Sequence, residues 1–182
     1  MNIQLQRPKV WLHWAQIHRL YRVAFPLAER KPFSMIRSMT RKGKTDTWRL
    51  MNDGKFVGLG ITINGPELIL LDYFAIKENC RGKGLGTASL KTLMNHYHDK
   101  GFFLEIESTL EQVPDLAMRQ RRKRFYLSCG LQELGVEAEL FGVNMELLGV
   151  RCTMDYPAYQ NFYRDNYSQW AADHICPVKR DM

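Results

Sequence analysis

Several things are missing from this sequence, and each absence narrows what it can be. No apolar run approaches the roughly 18 residues of a membrane-spanning helix, so no segment is expected to enter a bilayer. The four cysteines, Cys80, Cys129, Cys152 and Cys176, lie far apart and form no CxxC pair. With no signal-peptide pattern at the start, that usage fits a reducing cytoplasm better than a disulfide frame. Metal-ligand spacing is absent as well. Of the five histidines only His96 and His98 are close, and residues two apart on a helix point away from each other. Internal repeats, low-complexity stretches and linkers are lacking too, which leaves one ordinary domain.

What is present is an average globular make-up, 45% apolar and 25% charged over 182 residues, enough to bury a real core. The formal charge of +7 points to a polyanionic partner. Nucleic acid, an acidic membrane and a phosphorylated cofactor all satisfy it, so charge alone does not choose among them.

Read in order, Ile3 and Leu5 alternate with polar neighbours as a short first strand. Val10, Trp14, Ile17 and Tyr21 share one face of a helix. Pro26 and Pro32 bracket a corner containing Glu29 and Arg30, and a second helix follows over 33–39. A strand over 47–51 meets Asn52-Asp53-Gly54, a strong hairpin signal. Its partner carries Val57, Leu59, Ile61 and Ile63 on one face, and Asn64-Gly65 turns into a third, more apolar strand, Leu68–Ile76. These three form an antiparallel meander whose last member is expected to be central.

That apolar strand runs into Arg81-Gly82-Lys83-Gly84-Leu85-Gly86-Thr87. Leu90, Leu93, Met94 and Tyr97 then mark one helical face. A helix N-terminus with bare N–H groups and two flanking cations suits an anion. A P-loop needs Ser or Thr after its lysine, but Gly84 follows Lys83. A dinucleotide fingerprint needs a third glycine where Thr87 stands. The remaining pattern is Arg-x-x-Gly-x-Gly, met by Arg81, Gly84 and Gly86; the plain alternative is a glycine-rich helix start with no ligand.

Downstream, 102–108 reads as a strand with Leu104 and Ile106 on one face and Glu105 and Glu107 on the other. The intervening helix makes it parallel to Leu68–Ile76, by a right-handed crossover. Asp115 can cap a helix to about Cys129, with Gly130 as its stop. Two closing strands follow over 131–140 and 144–152. In the tail, Tyr159, Phe162, Tyr163, Tyr167 and Trp170 fall on one helical face after Pro157. Packing on the core is the preferred reading of that face; a homodimer contact or a substrate wall is the alternative.

The Arg-x-x-Gly-x-Gly loop resembles the coenzyme A loop of the GNAT family of N-acetyltransferases. The helix ending Arg124-Phe125-Tyr126-Leu127-Ser128-Cys129-Gly130-Leu131 resembles that family's second motif, FYxxxGF. The resemblance, to a bacterial branch, takes in 1–152 as the acetyltransferase domain and leaves 153–182 as a C-terminal helical extension packed on it. It implies an α/β acetyltransferase fold: a mixed sheet of about seven strands, helices on both faces, and parallel strands four and five splayed apart. It also implies that Phe74, Ala75 and Ile76 pair with the pantetheine arm of acetyl-CoA. Arg81, Gly82, Lys83, Gly84, Leu85, Gly86 and Thr87 would cradle the pyrophosphate with backbone amides. Tyr126 matches the tyrosine that protonates the leaving thiolate, and a backbone N–H near Ile76 would face the oxyanion.

The sequence departs from the family in places. Arg119 and Arg122 stand where many relatives have Asn and Ala, and Glu78-Asn79-Cys80 replaces a usual Pro-x-Tyr. The cluster of Arg119, Arg121, Arg122, Lys123 and Arg124 either meets the coenzyme's 3′-phosphate or is a solvated basic face.

An ammonium acceptor must lose a proton before it attacks. Glu105 and Glu107, two like charges on one strand face, are the preferred bases, since such proximity raises at least one pKa. Glu29, in the corner between the helices that border the acceptor site in the family, is a second candidate. The expected reaction is acetyl transfer from acetyl-CoA, as co-substrate and without a metal, to a primary amine of a small molecule or peptide. Direct attack is expected, because neither Cys80 nor Cys129 has a histidine near it in sequence. Alternatives are a non-catalytic acyl-CoA sensor, an acetyltransferase for a protein or nucleic-acid-associated target, and a longer acyl donor. Nucleic acid itself is the less favoured partner, and none of these readings needs a membrane.

Overall fold

The hairpin signal folds as read. Asp53 and Gly54 take φ of 47° and 74°, as the two-residue type I′ turn requires. They join β2 (Thr45–Asn52) to β3 (Lys55–Asn64) in antiparallel register. The computed structural model describes residues 1–178 and divides the chain into two compact units. The first comprises Met1–Asn64 and Leu71–His98; the second comprises Gly65–Leu70 and the chain from Asp99 on.

In the first unit β1 (Ile3–Gln6) adds antiparallel to β2. Next come α1 (Trp11–Ala24), a 3₁₀ turn over Leu27–Glu29, and α2 (Phe33–Arg41). The period-2 pattern of β3 places its two faces under different helices. Leu59 and Ile61 cluster with Ile17, Tyr21 and Ile36 of α1 and α2, and with Tyr73 and Ala75 of β4 (Leu68–Ile76). Gly60, between them, is met instead by Leu93 of α3 (Leu85–His96). Leu90, Leu93, Met94 and Tyr97 are all buried, as their spacing predicts. Each such side chain contributes roughly 1.5–3 kcal/mol by leaving water.

The second unit is built on β5 (Gly101–Glu107), which pairs in parallel with the start of β4 as Leu68↔Gly101, Ile69↔Phe102 and Leu70↔Phe103. After it come α4 (Leu116–Ser128), β6 (Gln132–Leu140), β7 (Val143–Val150), α5 (Tyr156–Asn166), α6 (Gln169–Asp173) and β8 (Ile175–Pro177). Through β4, hydrogen-bonded neighbours run β1-β2-β3-β4-β5-β7-β6-β8, a mixed sheet with β4 central. Among the described residues the β4–β5 register ends at Leu70↔Phe103, although β4 continues to Ile76 and β5 to Glu107.

Three sequence expectations need correction. Among the described residues the sheet has eight strands, not about seven: β8 is only Ile175–Pro177, too short and too broken by Pro177 to show a period, and it forms by pairing with β6. The aromatic tail is two helices rather than one. Ser168 caps α6 by accepting from the Ala171 N–H, and Trp170 is 64% exposed, off the face that buries Tyr159, Phe162 and Tyr163. Asp115 stands at the start of α4 but makes no side-chain cap. Its carboxylate takes the Arg119 Nε instead, at 3.0 and 3.1 Å.

Candidate active site

β4 leaves the sheet through a 3₁₀ turn, Glu78–Cys80. Gly82 and Gly84 then take φ of 73° and 72°, left-handed conformations in which any Cβ would be strained. Gly84 sits at the N-cap of α3, with no side-chain cap and no acidic residue in the first turn. So α3 begins with backbone amides that no side chain caps and an unopposed positive dipole, the arrangement an anion favours. The Arg81 Nε donates to the Ile76 carbonyl at 3.1 Å and the Lys83 Nζ to the Asn79 carbonyl at 3.2 Å. Those bonds tie both cations back to the strand end, with Gly82 and Gly84 exposed. Leu85 is buried beneath the loop, while Gly86 and Thr87 are half-buried in the first turn.

The second unit holds Tyr126, Glu105 and Glu107. Tyr126 is half-buried on α4 with its ring 5.2 Å from that of Phe125. Burial pushes its phenol up to about 12, against a lowering pull from Arg122, so it keeps its proton at neutral pH. Glu105 Oε1 accepts from Tyr159 Oη and from Tyr163 Oη, both at 2.7 Å. Glu107 meets α4 instead: Arg122 Nη1 donates to it at 3.0 Å, and Arg119 Nη2 lies 3.4 Å away. Each glutamate therefore has its own set of donors. Glu107 is a structural partner of the arginine cluster. Glu105 is the carboxylate set among phenols.

The cluster on α4 divides in the same way. Arg119 also reaches Asp115 and Glu111, and Lys123 binds Glu146 and, at 3.0 Å, Glu133. Among the described residues, Arg121 and Arg124 are exposed and stand outside these ion pairs. Burial opposes charge on Glu146, but Lys123 and two donors from Thr109 overcome it and hold the carboxyl below its ordinary value.

Glu29 is exposed at the end of the 3₁₀ turn in the first unit, and its carbonyl accepts from Tyr73 Oη at 2.8 Å. The same corner contains groups that sequence reasoning passed over. Lys31 Nζ donates to both oxygens of Asp72 on β4, at 2.6 and 2.7 Å. Asp72 was visible as the lone acid in Leu68–Ile76, but nothing local named its partner 41 residues away. Tyr159 and Tyr163 were placed on a buried face, yet their target, Glu105, is 54 and 58 residues distant. Among the described residues no group of three or more His, Cys, Asp or Glu side chains could hold a metal ion. All four cysteines are free there, and no helix is long and apolar enough to cross a membrane.

Residues 14–130 match the family model of the acetyltransferase (GNAT) family. No curated protein matches the sequence. Solved structures do. One assigned to the GNAT acetyltransferase family, from Bacteroides thetaiotaomicron, shares 19% identity at a TM-score of 0.76, covering 98% of this chain and 100% of that one. An aminoglycoside 6′-N-acetyltransferase complexed with coenzyme A shares 14% at 0.65, over 82% and 96% of the two chains. A ribosomal-protein-alanine N-acetyltransferase from Escherichia coli shares 17% at 0.60, over 85% and 96%. At these identities the likeness speaks for the fold, whereas the family model covers well over half of the sequence. With the glycine-lined start of α3, the parallel β4–β5 pair and the tyrosine near the end of α4 in family order, the chain belongs to the GNAT acetyltransferase family.

Proposed function

We propose that the chain moves an acetyl group from acetyl-CoA to a primary amine by direct attack. The observation that carries this reading is the start of α3: two left-handed glycines, uncapped amides, two cations and no acid. That is a cradle for a pyrophosphate. The strand before it leaves its parallel register with β5 after Leu70, which supports a pantetheine arm running along Phe74–Ile76 as an added strand. Both the aminoglycoside enzyme and the ribosomal-protein enzyme are N-acetyltransferases by name, which favours an amine over an alcohol as acceptor.

In this reading Tyr126, kept protonated by burial, supplies a proton to the departing sulfur. The amide near Ile76 faces the carbonyl oxygen as it gains charge. Glu105 takes the base role ahead of Glu107, because the arginines of α4 already claim Glu107. Those ion pairs also weigh against the arginine cluster as a nucleic-acid footprint. The test is a thiol-release assay with acetyl-CoA against a panel of primary amines and peptide N-termini. Amine-dependent release of coenzyme A supports the proposal. Tight acetyl-CoA binding with no release on any amine would leave an acyl-CoA sensor as the better reading.

A further inference from the structure

We propose that Lys31 is the chain's own resident acceptor, and that its side-chain amine takes an acetyl group from acetyl-CoA bound on β4. The inference rests on the reading above that acetyl-CoA binds along that strand. It starts from an anomaly of composition. In Leu68–Ile76 every residue but one is apolar or aromatic, and the exception, Asp72, has a side chain only 9% exposed. A carboxylate so placed needs a cation, and the cation supplied is a primary ammonium, held by both oxygens at 2.6 and 2.7 Å. A primary ammonium is also what an amine acceptor presents at neutral pH. Asp72 lies beyond the last β4–β5 pair and two residues before Phe74, at the start of the stretch assigned to the pantetheine arm.

A plain strut between the α1–α2 corner and β4 is the ordinary explanation, but that corner is already pinned. Tyr73 Oη donates to the Glu29 carbonyl at 2.8 Å, the Lys31 N–H donates to Tyr73 Oη at 3.2 Å, and Tyr21 Oη donates to the Lys31 carbonyl at 3.1 Å. These three bonds fix the backbone of Glu29 and Lys31 without the Lys31 side chain. What the ion pair adds is the position of one amine nitrogen.

The step balances without a further reagent. The Lys31 ammonium gives a proton to the Asp72 carboxylate, and the freed lone pair attacks the thioester carbonyl carbon. A C–N bond forms and the C–S bond breaks. The sulfur leaves with its electron pair and takes the second proton that the nitrogen sheds, giving coenzyme A thiol, while Asp72 returns the first proton to water and is again a carboxylate. The product amide is neutral, so the pair with Asp72 is lost and the carboxylate is left for an incoming cation. Lys31 thereby guards the place of a cationic acceptor until acetyl-CoA has bound and reacted.

The test is a time course of the full-length protein with acetyl-CoA and no added amine, read by peptide mass mapping, beside calorimetric binding of acetyl-CoA. Chemical acetylation follows exposure and reaches the exposed Lys42, Lys55 and Lys91 before Lys31, whose side chain is 23% exposed. Acetylation held in place by the site reverses that order, with Lys31 ahead by at least about tenfold. Asp72→Asn should slow the Lys31 reaction by a similar factor while the exposed lysines react as before. Lys31→Arg should keep acetyl-CoA binding and lose the modification. If acetyl-CoA binds and Lys31 reacts no faster than Lys42, or if Asp72→Asn leaves its rate unchanged, this inference is overturned and the transferase reading stands. If acetyl-CoA does not bind at all, both fall together.

Discussion

The strands β4 and β5 both carry carboxylates among apolar neighbours, and they satisfy them in opposite ways. Asp72 of β4 is met by one primary ammonium. On β5, Glu105 is met by two phenols and Glu107 by two guanidiniums. Guanidiniums make durable, poorly nucleophilic struts, phenols fix the orientation of a carboxylate, and an ammonium is the group that can itself be acetylated. The contrast teaches that charge alone does not mark a site. The chemistry of the partner, more than the charge, distinguishes these carboxylates.

The largest expected effect lies on the structural side. Lys123 and Glu146 are nearly buried and bound to each other. Lys123→Met should cost about 3 kcal/mol in chemical denaturation at neutral pH, because it strands a buried carboxylate. The pH dependence follows from the depressed carboxyl of Glu146. A lowered folded value contributes stability that is present above the ordinary value of 4.5 and lost as pH falls through the folded one. The stability gap between wild type and Glu146→Gln should therefore narrow progressively below that value. A gap unchanged down to strongly acidic pH would mean that the pair does not hold the carboxyl ionised.

On the reactive side, Tyr126→Phe should lower kcat about a hundredfold with acetyl-CoA affinity unchanged, as loss of a positioned acid does. Full kcat in that variant would remove the tyrosine from the mechanism. A direct comparison comes next in size. Glu105→Gln should cost roughly tenfold or more in kcat/KM, and Glu107→Gln less than about threefold. Equal losses would erase the distinction drawn between phenol-held and arginine-held carboxylates. The smallest effect is on stability: Glu107→Gln should cost about 1 kcal/mol, because Arg122 is 43% exposed and the more buried Arg119 keeps Asp115 and Glu111 as partners.

Much of the fold could be read before any coordinates, for physical reasons that differ by element. The Asp53-Gly54 turn, the alternation of β3 and the α3 face at Leu90, Leu93, Met94 and Tyr97 are local signals, and each folded as its period predicts. The glycine loop and the start of α3 were legible because glycine spacing is also local. The partners of the carboxylates were not. Glu105 with Tyr163, Asp72 with Lys31 and Lys123 with Glu146 are joined by topology across 58, 41 and 23 residues. A strand pattern shows that Glu105 and Glu107 share a face, but not that α4 and α5 divide that face between them. β8 escaped for a related reason, since three residues ending in proline acquire their extended form from β6.

The central claim is that the start of α3 receives the pyrophosphate of acetyl-CoA. It is tested most directly by titrating acetyl-CoA calorimetrically into the wild-type chain and into Gly84→Glu. That change puts a strained side chain and a negative charge where φ is 72° and the helix offers bare amides. The account predicts clear saturable binding by the wild type and a loss of at least about a hundredfold in the variant, with the circular dichroism spectrum retained. Equal affinity in the two folded proteins would contradict it.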